Sequence, residues 1–201
     1  MIKNIVFDFG AIFINLDKEK FALELQKLGI SQQSDEVLPI LHQYEMGLIS
    51  TEKFTAFFEE KMEISAEEFT KAWNAILLDF PKKRLNFIQE LAKNKKYRLF
   101  LLSNTNDLHI SWIQNNWGTE LYDTFKKCFE QFYLSHEINL RKPNIEIYNF
   151  VLETNHLIAQ ETLFIDDTKE NTEAAKSIGI EVWHLIPEKE DIVELFTKNS
   201  L

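Results

Sequence analysis

The sequence predicts a doubly wound α/β protein of the Rossmann-like kind: a parallel sheet between helices, carrying a helical cap as an insertion. Three observations predict it. Short apolar runs that stop at polar or acidic residues recur along the chain, helical patterns separate the later runs, and one long stretch after the first run has helical spacing alone.

The first run, Ile5-Val6-Phe7, ends at Asp8. Leu99-Phe100-Leu101-Leu102 leads to Ser103, Phe129 to Leu134 leads to Ser135, and Leu163-Phe164-Ile165 leads to Asp166. A fifth, Val182 to Ile186, follows Gly179 and stops at Pro187. Unbroken apolar runs of this length suit strands covered on both faces, as in a parallel sheet. Ile147/Val151 and Tyr148/Leu152 repeat at helical spacing after Pro143, which is expected in the first turn of that helix. Ala174, Ala175 and Ile178 lead to Gly179 at an expected C-cap.

Residues 17 to about 92 break this alternation. Phe21/Leu25/Leu28, Phe54/Phe57/Phe58 and Phe69/Trp73/Ile76 have helical spacing, and Ser65 to Glu68 form a capping box opening the third set. No convincing strand is present there. A helical insertion over 17–80 is therefore expected to pack as a lid on a core built from 1–16 and 81–201, with the chain returning near Pro81.

The 201 residues allow one large domain, or one domain with a smaller insertion. A net charge of −10 argues against nucleic acid as a partner, because phosphate backbones need Lys/Arg-rich surfaces. The single cysteine, Cys128, excludes an intramolecular disulfide and a Cys-rich metal site, and reads as a small hydrophobe entering a buried strand. The N-terminus meets acidic Asp8 too soon for a signal peptide, and no apolar run approaches the ~20 residues of a membrane span. A cytoplasmic protein with neither membrane nor nucleic-acid partner is expected.

In such sheets ligands bind beyond the carboxyl ends of the strands. Asp8, Ser103 and the Asp166-Asp167 pair all fall there. Taken alone, Asp8 reads as a cap or turn residue, Ser103 as a helix cap, and Lys142 in RKPN as a solvated lysine. The adjacent Asp166 and Asp167 are more pointed, since two carboxylates closing an apolar strand repel unless a cation lies between them. Together these residues suit phosphoryl transfer to a carboxylate. Asp8 before Phe9-Gly10 is placed as a nucleophile, and a Mg²⁺ held by Asp8, Asp166 and Asp167 screens its repulsion from a phosphate. Lys142 neutralises further charge, and the Ser103 hydroxyl with the backbone N–H groups that follow it at Asn104 holds the phosphate oxygens.

The order hhhDxG, hhhSN, KP and hhDD, at positions 8, 103, 142 and 166/167, resembles the haloacid-dehalogenase-like hydrolase superfamily across essentially the whole chain. More narrowly, IVFDFGAIFINLD, LLSNTNDLH, RKPNIEIY and FIDDTKENTEAA resemble the bacterial α-D-glucose-1-phosphate phosphatase branch, as do HQYEMGLIS and the stretch around Trp73 in the insertion. The resemblance implies a Mg²⁺-dependent phosphatase that hydrolyses a small phosphate ester, a sugar phosphate such as glucose 1-phosphate, through an aspartyl-phosphate on Asp8. It also implies that the backbone carbonyl of Gly10 joins the metal site. Superfamily phosphatases typically carry an acid/base Asp where this chain has Gly10. That departure keeps open a 2-haloacid dehalogenase, or a catalytically weak binding module of the same fold.

Among the histidines, His42, His136, His156 and His184 lack metal-like spacing and read as structural. His109 reads as a surface or helix-start residue, with a cleft-facing position the less favoured alternative. Trp73 reads as cap core rather than substrate platform.

Overall fold

The computed structural model describes residues 1–28 and 37–198; residues 29–36 of the expected cap and 199–201 of the expected core lie outside the described residues. Five strands, β1 (Asn4–Phe7), β2 (Arg98–Ser103), β3 (Gln131–Leu134), β4 (Thr162–Asp166) and β5 (Glu181–His184), form one parallel sheet in the order β3-β2-β1-β4-β5. The expected α/β fold class is the one observed. Alternation along the central strands explains their unbroken apolar runs. Ile5, Phe7, Leu99, Leu101, Leu163 and Ile165 belong to a hydrophobic cluster on one face, whereas Val6, Phe100, Leu102 and Phe164 belong to a second cluster on the other. Both faces are dry, so neither set of side chains has reason to be polar.

The edge strands correct the expectation of two-sided cover. In β3 and β5, Gln131 and Glu181 are exposed, and only part of each strand is buried. β3 is also shorter than its run, because Cys128 and Phe129 lie in the turn before it. Cys128 is half-buried against the first cluster, its thiol donating weakly to the Thr124 carbonyl at 3.5 Å.

Helices α1 (Lys20–Lys27), α2 (Val37–Glu45), α3 (Thr51–Met62) and α4 (Ala66–Asn74) separate β1 from α5 (Lys82–Asn94), and Pro81 caps α5 where the chain returns. Tyr44, Phe54, Phe58, Phe69 and Trp73 give the four inserted helices a hydrophobic cluster of their own. The capping box of Ser65 and Glu68 is present in full at α4. Two members of the expected helical faces fall elsewhere: Leu28 caps α1 and is exposed, and Ile76 lies beyond α4. Ile76 instead belongs to a two-stranded stem that carries no strand signal. There Asp17 N–H donates to the Ile76 carbonyl at 2.9 Å, Leu78 N–H to Asn15 at 3.1 Å and Asn15 N–H to Asp79 at 2.8 Å.

Helices α6 (Asp107–Trp117) and α7 (Thr119–Lys126) lie between β2 and β3, and α8 (Ser135–Ile138) and α9 (Ile145–Thr154) between β3 and β4. α10 (Lys169–Ser177) precedes β5, and α11 (Leu195–Lys198) ends the described chain. Pro143 stands before the Asn144 N-cap of α9, outside the first turn where the sequence placed it. Gly179 follows α10 with φ +87°, the left-handed stop that glycine adopts without strain. Among the described residues no helix is long and apolar enough to cross a membrane.

Candidate active site

Strand register brings the candidate residues together. Phe7 pairs with Leu101 of β2 and Ile165 of β4, so Asp8 emerges one residue later beside Asp166, and the Asp8 N–H donates to the Ile165 carbonyl at 2.8 Å. This is where the strand order reverses, with β2 and β3 on one side of β1 and β4 and β5 on the other, the place at which such folds bind ligands. One oxygen each from Asp8, Asp166 and Asp167 lie within 4.8 Å of one another.

Lys142 enters this cluster from the segment between α8 and α9. Its Nζ donates to Asp8 Oδ1 and to Asp166 Oδ2, both at 2.6 Å, and the side chain is 1% exposed. Asp166 is further satisfied by the Thr168 N–H at 2.8 Å and by Asn171 Nδ2 at 3.1 Å from each oxygen. Asp167 accepts from Lys18 Nζ at 2.5 Å. Three carboxylates thus face two ammonium groups, and the cluster keeps a net negative charge in a largely buried place. Burial pushes the Asp8 carboxyl up to about 7; Lys142 pulls against this, while Asp166 and Asp167 add to it. Burial disfavours the Lys142 ammonium, but Asp166 and Asp8 outweigh it and raise the group above its ordinary value. An all-oxygen donor set with surplus negative charge fits a hard divalent cation.

Ser103 and Asn104 sit differently from the carboxylates. Ser103 is buried at the end of β2, and its hydroxyl donates to the Asn104 carbonyl at a long 3.5 Å. The Asn104 side chain is committed to the main chain of Lys142: Oδ1 accepts from the Lys142 N–H and Nδ2 donates to the Lys142 carbonyl, both at 2.9 Å. The Gly10 carbonyl accepts from the Ile12 N–H at 2.7 Å, within a tight turn in which Ala11 has φ +59°.

Two cavities meet here. One, of about 410 Å³, is lined by Asp8, Asp167, Lys142 and Asn171, and is rimmed by Glu45 and Arg141. The other, of about 230 Å³, runs under the inserted helices between Leu16, Phe21, Trp73, Ile76 and His109. Gly10, Leu16, Lys18, Glu45 and Asn104 line both. His109 sits at the start of α6, as its favoured reading had it, and from there it also faces the cleft, the less favoured alternative. It stacks on Trp73 with ring centroids 5.2 Å apart, and burial pushes its imidazole down to about 4. Held neutral, it closes a ring of hydrogen bonds. Trp73 Nε1–H donates to Asn106 Oδ1 at 3.3 Å, Asn106 Nδ2 to His109 Nδ1 at 3.3 Å, and His109 Nε2–H to the Trp73 carbonyl at 3.3 Å. Trp73 packs with Phe21, Phe54 and Phe69 as cap core and also walls the cavity. His184 donates to the Asp167 carbonyl at 3.1 Å, and His136 lies 3.3 Å from Asp107.

The sequence model of haloacid dehalogenase-like hydrolases matches residues 5–185. This chain belongs to that family. It is 32% identical over 191 residues to D-ribitol-5-phosphate phosphatase of Bacteroides thetaiotaomicron, covering 91% of each chain. The crystal structure of a HAD family enzyme from the same organism, in a magnesium complex, superposes with a TM-score of 0.85 at 36% identity, covering 97% of this chain and 98% of that one. A second structure of that enzyme, with magnesium and inorganic phosphate, gives 0.81 at 35% identity over 98% of this chain and 100% of that one.

Lys18, Glu45, Arg141, Asn106 and Asn171 escaped the sequence reading. Two of them had local signals: Asn171 is a polar residue in the first turn of the helix that follows the paired aspartates, and Asn106 is the N-cap of α6, three residues beyond Ser103. Lys18, Glu45 and Arg141 reach the site from the stem, the inserted helices and the loop facing them, which no spacing rule connects.

Proposed function

We propose that this chain is a Mg²⁺-dependent phosphatase of small phosphate monoesters, sugar phosphates above all, acting through a phosphoryl intermediate on Asp8. The observation that carries this reading is Lys142, bridging Asp8 and Asp166 at 2.6 Å each inside the three-carboxylate cluster. The magnesium complex and the phosphatase name of the relatives support the same chemistry.

Asp8, Asp166, Asp167 and the Gly10 carbonyl are the proposed metal ligands, and the bound ion supplies charge screening between carboxylate and phosphate. Asp8 is the proposed nucleophile, with Lys142 holding its carboxylate in place and neutralising charge on the transferring group. Ser103 and the backbone at Asn104 are proposed to hold the phosphate oxygens, and Asn104 to fix the Lys142 backbone. Residues 17–80 act as a cap that supplies selectivity, since Glu45, Phe21 and Trp73 reach the cavities while the four motifs lie outside it. Gly10 offers no acid to the leaving oxygen, so hexose 1-phosphates, with glucose 1-phosphate as the finer reading, should outrun 6-phosphates. A halide-displacing enzyme has no use for a third carboxylate or for a divalent cation.

A side-by-side assay of glucose 1-phosphate, glucose 6-phosphate, ribitol 5-phosphate and 2-chloropropionate, with and without Mg²⁺, tests the reading. Metal-dependent phosphate release without chloride release is expected. Chloride release without phosphatase activity would overturn the proposal; a preference for the 6-phosphate would overturn only the leaving-group ranking.

A further inference from the structure

Gly10 stands two residues beyond Asp8, at the mouth shared by both cavities. It does not use the left-handed backbone of Gly47, Gly118 and Gly179, so its conformation suits any residue. What a side chain there meets is the tip of Leu16, which would have to turn aside to admit it. A Cβ on Gly10 would lie 2.9 Å from Leu16 Cδ1 and 3.8 Å from Asp8 Oδ2. Leu16 holds that place from the stem: its backbone bridges Leu77, and its partly buried side chain packs on the main hydrophobic cluster.

The adjoining cavity shares this character. At about 230 Å³ it is smaller than the ~300–1,000 Å³ of common ligand sites. Its titratable wall groups among the described residues are Lys18, Glu45 and His109. Lys18 is held by Asp167, Glu45 by Arg141 at 3.0 Å, and His109 within the ring with Asn106 and Trp73. Each already has a partner, so a charged group entering beside this largely apolar wall would have to compete for one, Lys18, 60% exposed, being the most accessible.

We propose that Leu16 fills the place of a proton donor at position 10 and walls the leaving-group chamber, so that the site selects small monophosphates with an uncharged body and an acidic leaving oxygen. This inference rests on the phosphatase reading. Asp8 attacks phosphorus, and the P–O bond to the leaving group breaks with its electron pair. The departing oxyanion takes its proton from water and leaves hydroxide. A second water then attacks the phosphoryl group on Asp8, restoring the carboxylate and releasing phosphate and one proton, which neutralises that hydroxide. With no acid at the leaving oxygen, the rate follows that oxygen's own acidity.

The test uses aryl phosphates of graded phenol acidity, an alkyl phosphate of similar size and a carboxyaryl phosphate, all with Mg²⁺. They are assayed on wild type, Leu16→Ala, Gly10→Asp and the double variant. Wild-type kcat/KM should rise steeply with phenol acidity and fall at least about tenfold when the body carries a carboxylate. Gly10→Asp alone should leave the slope unchanged. The double variant should flatten it and gain about tenfold or more on the alkyl phosphate, toward the ~10²–10⁴ that a positioned acid supplies. A flat wild-type slope, or a flattened slope in Gly10→Asp alone, overturns the proposal. Should either Asp variant fail to fold, Leu16→Ala decides: bulkier aryl phosphates must gain in kcat/KM relative to phenyl phosphate, and no gain overturns the wall. No wild-type turnover of any phosphate would instead sink the phosphatase reading beneath it.

Discussion

Asn104 grips the main chain of Lys142 from both sides, accepting its N–H and donating to its carbonyl at 2.9 Å each. This clamp joins the end of β2 to a segment 38 residues away and sets the height from which the Lys142 side chain reaches Asp8 and Asp166. Asn104→Leu removes both hydrogen bonds at similar volume. We expect kcat to fall about ten- to a hundredfold while the Mg²⁺ concentration for half-maximal activity moves less than threefold. A change in Mg²⁺ dependence without a change in kcat would show that the clamp serves the carboxylates rather than Lys142.

Asp8→Asn keeps the shape of the proposed nucleophile and an oxygen for Lys142, but removes the negative charge. Turnover should fall by about 10³ or more while the circular dichroism spectrum stays that of wild type. Retention of a tenth of wild-type kcat would exclude a covalent role for Asp8.

The raised Asp8 carboxyl carries a linkage consequence. Its folded value of about 7 lies above the unfolded 3.8, so the metal-free folded chain holds this proton over a range in which the unfolded chain has lost it. The Asp8 contribution to metal-free stability is then present below pH 4 and lost as pH rises toward 7. A cation that replaces the proton should restore it. The rise in Tm on adding Mg²⁺ should therefore be larger at pH 8 than at pH 5. An equal rise at both values would count against Asp8 as a ligand.

His109 has the opposite sign. Its folded value of about 4 lies below the 6.5 of an unfolded histidine, so the unfolded chain takes up the proton first on acidification. Stability from this group is full above pH 6.5 and lost as pH falls toward 4. His109→Gln should show a smaller drop in urea midpoint between pH 7.5 and pH 5 than wild type. A drop as large as wild type would assign the acid lability to other groups.

Glu45 on α2 meets Arg141 beside Lys142, with Arg141 Nε and Nη2 at 3.1 and 3.0 Å from Glu45 Oε2. The pair rims the carboxylate cavity without joining the cluster. Glu45→Gln and Arg141→Met should change KM several-fold and reorder substrates, leaving Mg²⁺ dependence as it was. Loss of metal binding in a folded Glu45 variant would contradict this division between cap and core.

The strands and their ends were legible in the sequence because their causes are local. Asp8, Ser103 and Asp166 follow apolar runs whose alternate residues fill two dry faces, and a parallel sheet then sets such strand ends side by side. The Ser65 capping box was equally readable, since four consecutive residues make it. Even Lys142 could be named, although its partner Asp8 lies 134 positions away. What only the tertiary structure decided is how the inserted helices and stem come down on that edge. Leu16 against Gly10, His109 against Trp73 and Glu45 against Arg141 are contacts between surfaces whose local patterns are satisfied whether or not they meet. Periodicity reports which face of an element is apolar. It carries no information on which distant element covers that face, and the room left between them is what turns a set of motifs into a site with a particular substrate.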